Sequence, residues 1–176
     1  MINCDHRKDS SILSIRIAVP EDADLIHQLA WQIFPETYKE ILTPDQNDYM
    51  MEWMYSVPNL IKQMTEENHT YLLGYKDNEC IGYVSVQPEN AEIYHLQKIY
   101  VLINKQGLGY GRILFEAAIQ YIKEINPNAK AVHLNVNRYN KALGFYEHLG
   151  MKKIAEGDFP IGHGYYMNDY IMGLDL

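Results

Sequence analysis

Leu96-Gln-Lys-Ile-Tyr-Val-Leu-Ile-Asn-Lys-Gln-Gly-Leu-Gly-Tyr-Gly-Arg112 joins an apolar strand to a helix through glycines spaced two apart. Gly107, Gly109 and Gly111 allow a tight turn and a close backbone approach to a ligand. The helix that follows directs unpaired N–H groups and the positive end of its dipole at the same place, so the stretch suits a phosphate. A dinucleotide fold would carry G-x-G-x-x-G with an acidic residue about 20 positions on, and a Walker A loop would run into Gly-Lys-Ser/Thr. Neither spacing is present.

Upstream of this stretch, residues 12–19 predict a first strand that stops at Pro20. Glu21 and Asp22 open a helix whose apolar face is Leu25, Ile26, Leu29, Ala30, Ile33 and Phe34, with Pro35 expected to end it. Thr43-Pro-Asp-Gln46 predicts the capped start of a second helix, with Tyr49, Met50, Trp53 and Met54 as its stripe. A shorter helical piece carries Leu60, Ile61 and Met64. Strands over 70–75, 80–87 and 92–102 follow, the first two joined by a turn at Asp77-Asn78. Downstream, Ile113, Leu114, Ala117, Ala118, Tyr121, Ile122 and Ile125 predict a helix over 109–125. A strand over 131–136 comes next, then a helix capped by Asn140 and closed at Gly150. Two last strands are expected over 151–156 and 164–174, linked by residues 158–163. The class is α/β or α+β: about seven strands in a mixed, mostly antiparallel sheet with helices on both faces.

The 176 residues suffice for one domain with a substantial core. Residues 1–10 are polar and charged and predict a poorly ordered tail ahead of a domain over 11–176. They lack the apolar stretch of a signal peptide, and no run approaches the length of a membrane span. Cys4 and Cys80 make no disulfide framework, which points to the cytoplasm. A net charge of -8 argues against a nucleic-acid partner. It suits a polyamine or a basic peptide, or serves solubility alone. His6, His27, His69, His133, His148 and His163 show no zinc-type spacing with one another or with the cysteines, so no metal is expected.

Preceded by Ile99-Tyr-Val101, Gln106-Gly-Leu-Gly-Tyr-Gly111 resembles the acyl-CoA pyrophosphate loop, Q/R-x-x-G-x-G/A, of the GNAT superfamily of N-acetyltransferases. Leu134-Asn-Val-Asn-Arg-Tyr-Asn-Lys-Ala-Leu-Gly-Phe-Tyr-Glu-His-Leu-Gly150 resembles the second half of the same core, where an asparagine-led helix carries a Phe-Tyr pair and ends at Gly. The order of elements matches that fold from end to end. Glu36-Thr-Tyr-Lys-Glu-Ile-Leu-Thr-Pro-Asp-Gln-Asn-Asp-Tyr-Met-Met-Glu-Trp-Met-Tyr-Ser56 and Gly164-Tyr-Tyr-Met-Asn-Asp-Tyr-Ile-Met172 look like the branch that contains bacterial polyamine acetyltransferases. The resemblance implies acetyl-CoA as cofactor and a splayed strand pair that holds it. It also implies acetyl transfer to a primary amine, a polyamine or other small amine, by direct attack in a ternary complex. The cofactor contacts it implies come from Ile99 and Val101 for the pantetheine arm and from Gln106, Gly107, Leu108, Gly109, Tyr110 and Gly111 for the diphosphate.

An amine with a pKa of about 10.4 is free base in only roughly one molecule in a few thousand at neutral pH, so some group must take its proton. The family position for that group, six residues before Val101, holds His95 here where a carboxylate is common. Histidine is chemically suited to the task, although a histidine satisfied on a sheet surface would look the same in sequence. Glu92 and Asp169 stand in reserve. A bulge around 99–101 would free an N–H for the thioester oxygen. Tyr146 occupies the family's tyrosine position and would protonate the leaving sulfur, the alternative being a packed ring. Either Asn137 or Asn140 would touch the cofactor. Arg112, with Lys105, either pairs with its phosphates or is a solvated cation. Tyr38 and Trp53 belong to an aromatic cluster that is either core or the acceptor side. Acetylation of a protein N-terminus or lysine, and a non-catalytic acyl-CoA-binding module, are the rival functions. The sequence is silent on oligomeric state, and a homodimer is compatible with it.

Overall fold

The strand and helix spacings of the sequence resolve, in a computed structural model that describes residues 12–176, into one seven-stranded sheet with helices on both faces. The expected tail over residues 1–10 lies outside the described residues, as do Cys4 and His6. Strand β1 (Ser14–Ile17) is followed by helices α1 (Ala23–Tyr38), α2 (Pro44–Tyr55) and α3 (Val57–Thr65). Strands β2 (Thr70–Lys76), β3 (Glu79–Pro88) and β4 (Ile93–Val101) come next. Helix α4 (Tyr110–Ile125), β5 (Ala131–Asn137), α5 (Leu143–His148), β6 (Lys152–Gly162) and β7 (Tyr165–Asp175) complete the chain. The spatial order is β1-β2-β3-β4-β5-β7-β6.

Neighbouring strands run antiparallel except β4 and β5, which α4 connects in parallel. This pair is short: Ile93 lies opposite Ala131, Tyr94 opposite Val132 and His95 opposite His133. Past that fork β4 pairs only with β3 and β5 only with β7. The inner edges of the two strands therefore face each other with backbone groups that require other partners.

Each face of the sheet has its own core. Leu114 of α4 packs over Gly74 and Gly82, on the face that also buries Val84, Val86, Leu96 and Val101. On the other face Tyr71, Leu73 and Tyr83 are fully buried beneath α1–α3, with Tyr55 edge-on to Tyr83 at 6.3 Å and Phe34 edge-on to Tyr55 at 5.9 Å.

Several local expectations hold. Thr43 caps α2 through Gln46 N at 3.2 Å, and Asp77 and Asn78 take φ of 48° and 66°, the left-handed pair a tight hairpin needs. Others change. Helix α1 runs past Pro35 to Tyr38, because Phe34 and Tyr38 bury the following turn in the core, which outweighs one lost backbone hydrogen bond. Helix α5 begins at Leu143, and Asn140 stands before it, its Oδ1 accepting from Ala142 N at 2.9 Å in an Asx turn instead of capping the helix. The expected link over 158–163 is mostly strand: β6 continues to Gly162 and reverses through Gly162, His163 and Gly164, all at positive φ. The β4 bulge lies at Gln97, where the register slips from Ser85–Lys98 to Val86–Leu96, and not around 99–101. Tertiary pairing with β3 decides its place.

Candidate active site

The diverging strands open a cleft of about 820 Å³ between β4, β5, the end of α1, the start of α4 and α5. Ile99 and Val101 line it from β4, and Gln106, Gly107, Gly109, Tyr110, Gly111 and Arg112 line it from the loop and helix start. Asn140 and Tyr146 line it from the far side. The sequence thus brings together distant segments that one ligand can bridge. Leu108 and Asn137 are not on the wall: Leu108 is 56 % exposed, and Asn137 is buried, its Oδ1 accepting from Tyr139 N at 3.0 Å. Of the two candidate asparagines, Asn140 is the one on the cleft.

The glycine loop is shaped as a cradle. Gly107 and Gly109 take φ of 76° and 87°, and a Cβ at either would meet nothing within 4 Å, so the backbone is bare towards the cleft. Gly109 is the N-cap of α4 and supplies no side-chain cap, so the start of the helix turns its positive end towards the cleft, as an anion site requires. Gly111 does something different: a Cβ there would lie 3.2 Å from the Phe145 ring, so its bareness lets α5 pack on α4. Gln106 braces the loop, its Nε2 donating to Val101 O at 3.1 Å. Arg112 is held by Glu116 at 2.8 Å and Lys105 by Glu79 at 3.4 Å, both at the cleft mouth. These residues fit a diphosphate, and the unpaired edge of β4 fits an amide-bearing arm.

Deeper in, phenols gather. The Tyr38 and Tyr100 hydroxyls are 3.2 Å apart, and Asn140 Nδ2 donates to Tyr38 Oη at 3.4 Å. Tyr146 sits among them, and burial, reinforced by Tyr38, pushes its hydroxyl well above the ordinary tyrosine range. Burial does the same for Tyr38 and Tyr100. All three stay protonated, so each keeps a hydroxyl hydrogen to donate.

His95 stands at the fork and is not among the cleft-lining residues. Its Nδ1 is 2.6 Å from Glu89 Oε1, and His133 Nδ1 is 3.6 Å from the other oxygen of the same carboxylate. A carboxylate can only accept, so Nδ1 carries the hydrogen and Nε2 is the nitrogen left for another partner. Glu89 has no counterpart in the sequence reading; Pro88-Glu-Asn90 reads there only as a turn, which Asn90 indeed builds by accepting from Glu92 N and Ile93 N at 2.9 Å. Of the reserve carboxylates, Glu92 is on the surface with Lys130 at 2.5 Å, and Asp169 is buried behind Asn135. Tyr38 lines the cleft, while Trp53 is half exposed and stacks on Tyr49 away from it. Lys98, also on the β4 wall, is buried, with Nζ donating to Gln63 Oε1 at 2.6 Å and Tyr71 Oη at 2.5 Å.

A strand fork ending in a bare glycine loop and a helix N-terminus defines an acyl-CoA-dependent transferase. Residues 23–151 match the acetyltransferase (GNAT) family, and the chain belongs to that family: it is an acetyl-CoA-dependent N-acetyltransferase. Solved structures with the same fold include the PaiA N-acetyltransferase of Thermoplasma acidophilum in complex with coenzyme A, at 19 % identity and a TM-score of 0.77, covering 94 % of this chain and 99 % of that one. The ribosomal-protein-S18-alanine N-acetyltransferase of Escherichia coli aligns at 16 % identity and a TM-score of 0.69, over 93 % and 94 % of the two chains. Mutant forms of the spermidine/spermine N-acetyltransferase SpeG of Vibrio cholerae align at 22 % identity and a TM-score of 0.64, over 93 % and 95 %. Among the described residues, no helix is long and apolar enough to cross a membrane.

Proposed function

We propose that this acetyltransferase acts on a polyamine or another small primary amine, by direct attack, with His95 as base and Tyr146 as proton donor. The observation that carries the reading is the fork itself: the β4 edge opens immediately past His95 and runs to the Gly107–Gly109 cradle, with Tyr146 facing it across the cleft. Bound there, acetyl-CoA supplies the thioester. Ile99 and Val101 would hold its arm, 106–111 its diphosphate, and Asn140 the stretch between. His95, oriented by the Glu89 contact at Nδ1, takes the amine proton at Nε2 directly or through a water. Tyr146 Oη holds a proton for the departing sulfur.

Support for a cationic acceptor comes from Glu40 on the cleft wall just past α1, where Glu36 is paired with Lys39, and from the net charge of -8. The likeness to SpeG agrees with it. Thiol release from acetyl-CoA, followed over alkylamines, diamines, polyamines and peptides with free N-termini or lysines, is the test. Fastest release with di- or polyamines is expected. Release with peptides alone would reassign the acceptor, and acetyl-CoA binding with no release on any amine would refute the catalytic reading.

A further inference from the structure

Asn135 follows His133 by two residues on β5, so it is the first side chain past the fork on the sheet face that carries His95. It is exposed and lines the cleft. Its Nδ2 donates to Asp169 Oδ2 at 3.3 Å. Because a carboxylate offers only acceptors, this contact fixes the amide with nitrogen inward and leaves its carbonyl oxygen for the cleft.

Asp169 is only 5 % exposed, and its second oxygen is buried with no hydrogen-bond partner among the described residues. Among the described residues, no cation pairs with it directly. Arg138 acts on it from a distance, and that guanidinium is taken up by Gly157 O at 3.0 Å and Asp158 at 2.5 Å. Burial pushes the Asp169 carboxyl above its ordinary range, and its charge is felt at the Tyr38 hydroxyl on the cleft wall. A charge placed in low dielectric without compensation is unfavourable for the fold and projects its potential strongly into the adjoining space. The adjoining space is the part of the cleft that Asn135 lines.

Resting on the amine-acetyltransferase reading, we propose that Asn135 and Asp169 together anchor the acceptor ammonium: Asn135 Oδ1 accepts from its N–H, and Asp169 supplies the counter-charge through Asn135. Asp169 is thus a positioning residue. Asn135 stands on the β5 wall with Asp169 of β7 behind it, facing the β4 wall that carries His95 at its fork, so the amine is held where its proton can leave.

Asp169→Asn keeps an acceptor for the Asn135 amide and removes only the charge. With the amine that wild type acetylates fastest, KM for the amine should rise roughly 10- to 100-fold, the effect of losing a hydrogen bond to a charged partner. The Kd of acetyl-CoA by calorimetry should not move, and Tm should hold or rise because an uncompensated charge has left the interior. Asn135→Ala, at an exposed site, should raise the amine KM similarly, and the double variant should be no worse than the weaker single, since the two act as one unit. An unchanged amine KM in both variants overturns the anchor. So does a Tm that falls with Asp169→Asn, which would mark a structural carboxylate. If wild type releases no thiol with any amine, the acetyltransferase reading fails instead, and the two failures are distinct.

Discussion

Replacing Lys98 with Met should flatten the dependence of stability on pH above neutrality. Lys98 is 7 % exposed, and its ammonium touches Gln63 Oε1 at 2.6 Å, Tyr71 Oη at 2.5 Å and the Met54 carbonyl at 3.5 Å, with the Tyr55 and Tyr71 rings at 4.8 and 5.2 Å. None of these is an anion, and desolvation lowers its pKa from 10.5 to about 7, with Glu67 opposing at longer range. Between those two values the unfolded chain binds the proton and the folded chain does not, so stability rises with pH. The penalty is fully present below pH 7 and is relieved as the unfolded lysine titrates near 10.5. Each unit is worth about 1.36 kcal/mol, so roughly 2.5 kcal/mol should accrue between pH 7.5 and 9.5. His69, pushed down to about 4 by burial and by Lys98, is neutral throughout and adds no slope there. Methionine matches the length of the stem and leaves Gln63 Oε1 its bond from Tyr71 Oη at 2.6 Å, so the core should survive. Urea unfolding followed by Trp31 and Trp53 fluorescence at both pH values should move the wild-type midpoint upward relative to the variant by on the order of 1 M. Parallel shifts in the two proteins would show that Lys98 does not titrate in this window, and the reasoning from its desolvation would fail.

Tyr146→Phe should lower kcat roughly 100-fold while leaving the Kd of acetyl-CoA in place, and an unchanged kcat removes it as proton donor. His95→Gln keeps a polar contact for Glu89 but no proton acceptor of comparable basicity; kcat should fall about 10²–10⁴-fold, and full retention would move the base elsewhere. Gly82→Ala would set a Cβ 2.5 Å from Tyr100 O and 3.1 Å from Val101 Cα, so β3 and β4 must part. A loss of more than about 2 kcal/mol by urea unfolding is expected, and an unchanged midpoint would contradict the close approach of those strands.

The glycine loop and the Phe145-Tyr146 helix were legible because each is written in consecutive residues that resemble a family motif, and the cleft does gather Ile99, Val101, Gly107, Gly109 and Tyr146. The polar partners were not. Glu89 reaches His95 through a turn, Asp169 reaches Asn135 across two strands separated by α5 and β6, and Tyr38 reaches Tyr100 across 62 positions. Such contacts depend on register between distant strands, which hydrophobic spacing constrains only to the choice of face. Pro35 misled for a related reason, since the burial that carries α1 past it comes from the rest of the molecule.

β4 shows how a fold can accommodate an open interior edge without losing its core. Its apolar residues fall at Tyr94 and Leu96, then at Ile99 and Val101, a spacing of two interrupted once by three. The bulge at Gln97 absorbs that extra residue. It keeps the apolar residues on the α4 side, opposite Val84 and Val86, while His95, Lys98 and Tyr100 share the other face. In an unbulged strand Lys98 would follow Leu96 onto the α4 side, and either the core would take an ammonium or the strand would slip and bury His95. One inserted residue therefore lets the same strand seal the core on one side and present the His95 imidazole and the Tyr100 phenol on the other, next to an edge that β5 has already left.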